Sequence, residues 1–177
     1  MKLYVMRHGP AEDVSASGRD GDRALTPSGR DRVRGVAKAL FDADEAPMAV
    51  ITSPLVRSLQ TAEIVANVTD LAKRAQENAR VSGAVEVRRE MAPGGDGLGF
   101  VGQLLRDGRK RVMLVGHEPD LTLLLTELCG RPPEQGMMKA MVVGLKLTPT
   151  GPEIAGRGYT VLRRFILEPK ALAWQRD

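Results

Sequence analysis

The sequence is poor in the residues that carry most side-chain chemistry. It holds two histidines, His8 and His117, and one cysteine, Cys129. A single cysteine excludes an intramolecular disulfide. So few imidazoles and thiols all but exclude a structural zinc site, and no metal or other cofactor is expected. Cys129 falls in an apolar helical pattern and reads as a small buried hydrophobe. Aromatic residues make up only 3% of the chain, so the core must rest on Leu, Val, Ile, Ala and Met. No apolar run reaches the ~20 residues that cross a bilayer. The N-terminus lacks the apolar region and cleavage site of a signal peptide. A cytoplasmic protein without membrane contact is expected.

What is present is ordinary in bulk. The formal net charge is +4 and the sequence pI about 9.5, which could suit nucleic acid or an anionic substrate. Lys and Arg are spread among Asp and Glu, as on a solvated surface. The shortage of stacking aromatics argues further against nucleic acid. A small anion pocket needs no large basic patch. At 177 residues, one domain spanning 1–177 is expected.

Strand-like and helix-like segments alternate. Residues 2–6 read as a strand and the polar stretch 9–24 as a loop. Thr26-Pro27 starts a helix, with Thr as cap and Pro at the first helical position. Val33, Val36, Ala37, Leu40 and Phe41 supply its apolar stripe. Residues 49–52 form a second strand. Ser53-Pro54 repeats the cap-and-proline signal and opens a helix to about 67. The polar stretch 73–83 reads as a connection and 84–87 as a third strand. A Pro- and Gly-rich loop at 91–99 precedes a short helix over 100–106. Residues 111–115 are a continuous apolar strand, followed by Gly116-His117 and a helix from Pro119. Two late strands, 140–147 and 159–167, are joined by a Gly/Pro-rich turn.

This alternation implies an α/β fold: a three-layer α/β/α sandwich on a mostly parallel sheet, with one antiparallel strand. In such sheets ligands bind beyond the carboxyl ends of the strands. Arg7-His8-Gly9, Ser53 to Arg57, and Gly116-His117 all follow directly on strands. An isolated histidine is usually a satisfied or surface residue, because chemistry needs partners. Here both histidines end strands on the same side of the sheet, with arginines nearby.

That constellation suits phosphoryl transfer, where catalysis is largely positioning and charge stabilisation. Arginine forks match phosphate oxygens. A neutral histidine is a competent nucleophile. Arg7 and Arg57 would disfavour imidazolium at His8. Gly9 would let the backbone approach the phosphate and clear space beside the imidazole. The helix after His117 could aim its amide groups at the same anion.

MRHGPA (6–11), LTPSG (25–29), SPLVRSLQTAE (53–63) and VGHEPDL (115–121) occur in order, with REMAPGGD (89–96) between the last two. On these stretches the chain resembles the histidine phosphatase, or phosphoglycerate mutase-like, superfamily, and within it the small SixA-type phosphohistidine phosphatases. The resemblance implies that His8 takes up the phosphoryl group. It implies that Arg7, Arg57 and His117 bind the phosphoryl oxygens without a metal. Arg23 could add a phosphate contact or be a solvated loop residue. Glu12, Glu90 and Asp96 are candidates for protonating a leaving group, and none stands out; Glu90 and Asp96 lie around the loop that would face substrate. Thr26 and Ser53 read as helix caps, and Gln60 and Thr61 as pocket supports.

The absence of a distinct acid fits a phosphohistidine substrate, since imidazole leaves from phosphorus more readily than an alkoxide. The expected partner is therefore a phosphorylated protein bearing phosphohistidine, or else a small phosphoester. A noncatalytic phosphate-binding module is disfavoured, because binding alone needs no nucleophile.

Overall fold

In a computed structural model of the chain, residues 1–150 and 158–177 are described. Strand β1 (Lys2–Arg7) alternates its side chains between two faces. Tyr4 and Met6 enter one core, with Val33, Val36 and Leu40 of helix α1 (Pro27–Asp42) and Ala62 and Val65 of α2 (Val56–Val68). Leu3 and Val5 enter the other. There they join Phe100 and Leu104 of α4 (Gly97–Arg106) and Leu121 and Leu125 of α5 (Asp120–Cys129). Helices therefore cover both faces of the sheet, as the alternation predicts.

Among the described residues the sheet has seven strands in the order β3-β2-β4-β1-β5-β6-β7. Strand β2 (Ala49–Thr52) pairs in parallel with β3 (Glu86–Val87) and with β4 (Arg111–Gly116), and β4 with β1. The other half is antiparallel: β1 with β5 (Val142–Pro149), β5 with β6 (Tyr159–Leu167), and β6 with β7 (Trp174–Arg176). The antiparallel part is thus larger than one strand. Strand β7 is too short to give a periodic signal; it is held where Trp174 meets Phe165 edge-on, ring centroids 4.8 Å apart. The expected Gly/Pro-rich turn falls on 151–157, outside the described residues.

Several boundaries shift for local reasons. Thr26 caps α1 as its sequence implies, its hydroxyl accepting from Gly29 N–H at 3.0 Å. Ser53 does not cap α2: the helix starts at Val56, after an extended Leu55, and the Ser53 hydroxyl lies on His117 instead. The stretch 73–83 is partly helical, with α3 at Leu71–Glu77. It has one buried anchor, Leu71, rather than a stripe, and Arg74 ties it to the Pro47 carbonyl at 3.0 Å. Helix α4 begins three residues earlier than expected because Asp96 caps it. Cys129 is half-buried at the end of α5.

At the amino end of the sheet, Glu45 gathers four donors. Tyr4 OH lies at 2.6 Å, Lys2 Nζ at 3.1 Å, and the Arg164 guanidinium nitrogens at 2.6 and 3.0 Å. Against the cost of burial, the bonds from Arg164, Tyr4 and Lys2 bring its carboxyl down to about 2.

Candidate active site

Strands β1 and β4 are adjacent and parallel, with Arg7 opposite Gly116. The next residue on each is a histidine. The register therefore places His8 and His117 side by side at the carboxyl edge, ring centroids 5.1 Å apart. Both are buried, with relative exposures of 6% and 4%.

The bonds around His8 fix its tautomer. Its Nδ1 lies 2.7 Å from the Gly9 carbonyl. A carbonyl only accepts, so Nδ1 carries the proton and Nε2 keeps a lone pair. Arg57 Nε–H donates to that Nε2 at 3.3 Å. Burial pushes the His8 pKa down to about 3, aided by His117, Arg57 and Arg7 and opposed by the Gly9 bond. The sequence credits the arginines with keeping this ring neutral; the larger cause is desolvation.

His117 Nε2 lies 2.8 Å from Ser53 Oγ and 3.2 Å from Ser58 Oγ. Among the described residues its Nδ1 is buried without a partner. A tautomer in which Nε2 accepts from Ser53 puts the ring proton on that Nδ1. Burial, then Arg57, brings its pKa down to about 4. Arg7 donates from Nη1 to the Met137 carbonyl at 2.7 Å, and its Nε is likewise buried and unpartnered. An unpaired buried donor costs about 1–3 kcal/mol. Two of them beside a lone pair suit an anion.

Arg57, 5% exposed, projects from the first turn of α2. Besides His8 it reaches Asp20, donating from Nη1 to the backbone carbonyl at 2.8 Å and from Nη2 to Oδ2 at 3.0 Å. Asp20 lies in a short 3-10 turn, Asp20–Asp22, within the expected loop. Arg23 joins the same carboxylate, Nε to Oδ1 at 2.8 Å, and donates to the Glu12 carbonyl at 2.9 Å. Arg23 is thus linked to the cluster through Asp20.

Gly9 also meets a packing constraint that its sequence does not reveal. A Cβ there would lie 2.6 Å from Val33 Cγ2 and 3.3 Å from the Gly29 carbonyl. The absent side chain lets the end of β1 pack tightly against α1. Gly9 N–H donates to Thr61 Oγ1 at 3.0 Å, and Gln60 Oε1 accepts from Leu25 N–H at 2.8 Å. Both residues brace the loop, as expected of pocket supports.

Glu90 and Asp96 line a cavity of about 170 Å³ together with His117, Met91, Leu121 and Leu124. Asp96 also accepts from Gly99 N–H at 2.8 Å as the cap of α4. The structure therefore brings His8, Arg7, Arg57 and His117 together, with Glu90 and Asp96 on one flank and Arg23 on the other. Sequence reasoning missed Asp20, Ser53 and Ser58 as partners of these groups. Ser58 carried one usable signal, its place next to Arg57 at the start of the helix. Asp20 carried none.

The neutral histidines make stability depend on pH. Unfolded imidazoles take up a proton near pH 6.5; the folded ones resist until about 4 and about 3. Between those limits the unfolded chain binds more protons, so stability falls as pH falls. Glu45, depressed to about 2, loses its contribution only below the ordinary carboxylate range. The urea midpoint should therefore drop between pH 7.5 and 5 in the native chain, and drop less in a His8→Asn, His117→Asn double variant. Equal slopes would contradict the assignment.

Known proteins resemble this chain in sequence and in fold. The model of the histidine phosphatase superfamily (branch 1) matches residues 3–81. The phosphohistidine phosphatase SixA of Escherichia coli strain K12 is 33% identical over 132 residues, 73% of this chain and 74% of SixA. A structure of the protein histidine phosphatase SixA complexed with tungstate superposes with a TM-score of 0.79 at 26% identity, covering 98% of this chain and 100% of that one. A mycobacterial glucosyl-3-phosphoglycerate phosphatase complexed with VO3 shares the fold at 17% identity, with a TM-score of 0.64 over 92% of this chain and 96% of that one. Two buried histidines on neighbouring strands, arginines on both sides and a relative a third identical over most of the chain place this protein among the histidine phosphatases, in the SixA-type branch.

Proposed function

We propose that the chain removes phosphoryl groups from phosphohistidine in proteins, through a covalent intermediate on His8. The observation that carries this reading is the state of His8: Nδ1–H held by the Gly9 carbonyl, Nε2 left with a lone pair beside Arg57. The similarity to SixA supports the substrate class.

In the first step the Nε2 lone pair attacks phosphorus in line. The bond from phosphorus to the leaving group breaks, and the leaving group takes a proton from solvent. Arg57, Arg7 Nε–H and His117 Nδ1–H bind the equatorial oxygens as charge builds on them. In the second step water attacks phosphorus opposite Nε2. The P–N bond breaks, its electrons return to Nε2, and the proton from water passes to solvent. Phosphate leaves. Glu90 and Asp96 share the cavity lining with His117 and are the candidates to assist proton transfer to a poorer leaving group.

The cavity that flanks the site at His117 is about 170 Å³ and is lined by neither His8 nor Arg57. Sites that engulf small ligands run roughly 300–1,000 Å³, so a flank of this size favours a protein substrate over an enclosed metabolite. The test is a side-by-side assay on a phosphohistidine-bearing protein and a panel of sugar and nucleotide phosphates. A higher kcat/KM on the phosphohistidine protein is expected. A clear advantage for a small ester would replace this substrate with that one.

A further inference from the structure

We propose that Asp20 is a positioning residue: it grips the far end of Arg57 and so aims the near edge of that guanidinium at His8. The proposal rests on the phosphatase reading above and adds a residue to it.

The inventory of donors makes the case. A guanidinium has five N–H groups. Arg57 gives its Nε–H to His8 Nε2. Asp20 takes one N–H from each terminal nitrogen, through its backbone carbonyl and its Oδ2. That leaves one N–H on each terminal nitrogen, and Nε–H as soon as phosphorus claims the lone pair of His8. Arg57 can therefore bind phosphoryl oxygens while Asp20 stays in place.

The fixing acts on a buried cation. Arg57 is 5% exposed, and its ion pair among the described residues is with Asp20. Asp20 meanwhile holds Arg23 at 2.7 Å, so one carboxylate joins two guanidiniums that would otherwise repel. Its bonds from Arg23 and then Arg57 hold its carboxyl below the ordinary range. Asp20 is an anion at neutral pH and cannot be the proton donor. It also ties the loop after the nucleophile to the start of α2. Arg57 thus meets two different elements, β1 at Nε and the 3-10 turn at its terminal nitrogens.

The experiment compares native chain, Asp20→Ala, Asp20→Asn and, as a control on the same turn, Asp22→Ala. It measures kcat and KM on p-nitrophenyl phosphate, inhibition by inorganic phosphate, and kcat with added formate. Displacing a catalytic group by about 1 Å can cost about 100-fold, so Asp20→Ala should lose about 10- to 100-fold in kcat with a smaller change in KM. Asp20→Asn, which keeps an acceptor but not the charge, should fall between. Formate should restore part of the loss in Asp20→Ala and leave the native chain unchanged. The Asp22→Ala variant should match the native chain. Native-like kcat in Asp20→Ala overturns the proposal. So does tighter inhibition by phosphate with kcat retained, which would make Asp20 a competing anion. A kcat loss that formate does not relieve, with Asp20→Asn no better than Asp20→Ala, also overturns it. If the native chain itself gives no turnover, the phosphatase reading has failed instead.

Discussion

Replacing His8 by alanine is expected to abolish turnover, together with the acid-labile phosphate label that the native chain should acquire. The expected loss is at least about 10⁴-fold in kcat, in the range seen when a catalytic nucleophile is deleted. The other histidine of the chain is not presented in the same way. The lone pair of His8 Nε2 is presented because Nδ1 is committed to the Gly9 carbonyl, whereas the unpartnered nitrogen of His117 is Nδ1, and its Nε2 is occupied by two serine hydroxyls. A His8→Asn variant separates chemistry from packing, because asparagine keeps a polar group near Gly9 without a nucleophilic nitrogen. Both variants should be inactive, and the asparagine form should unfold close to the native temperature. Turnover or labelling in either variant would remove His8 as the nucleophile.

Arg57→Ala should lower kcat by about 10³-fold, the low end of what a transition-state arginine contributes in phosphoryl transfer. Three consequences act together. The donor to His8 Nε2 is lost. Asp20 keeps its charge but now pairs with Arg23 alone. A cation that disfavours imidazolium at both histidines disappears, so protonation of His8 should begin at higher pH. Arg57→Lys restores the charge but not the fork, and should recover only part of the rate. Its ammonium cannot hold the nucleophile, Asp20 and phosphate in the same plane. Steady-state kinetics against pH on an aryl phosphate checks this. A loss smaller than about tenfold in Arg57→Ala would mean that Arg57 is not among the groups that stabilise the transition state.

The parts of the site readable from sequence are those tied to strand ends. The apolar run before Arg7-His8 and the run before Gly116-His117 each predict a strand, and a parallel sheet puts their ends on one edge. Arg57 was readable because a strand and a helix start bracket it. What could not be read depends on contacts across the fold. Asp20 is one carboxylate among several in a polar loop, and only the approach of α2 distinguishes it from Asp22. Ser53 satisfies every local rule for a cap, but the proximity of β4 to β2 gives its hydroxyl a buried imidazole instead. At Gly9 the sequence shows the want of a side chain but not the contact that requires it, because Val33 lies 24 positions on in the chain. Helix α3 and strand β7 rest on one anchor each, Leu71 and Trp174, and single anchors leave no period.

The spacing of the two histidines follows from the backbone ladder between β1 and β4 rather than from any loop. Each pair of neighbouring strands is held about 4.8 Å apart by peptide hydrogen bonds, close to the 5.1 Å between the rings. That spacing is thus built into the sheet, and what flanks it lies on separate elements. The loop before Asp20 and the approach to α4 can change length and charge without moving the two imidazoles, whereas Asp20 itself holds Arg57. On the proposed mechanism, exchanging those loops should change the phosphate bearer and leave the phosphoryl chemistry in place. A one-residue slip of β1, by contrast, would turn His8 to the opposite face and end the chemistry at once.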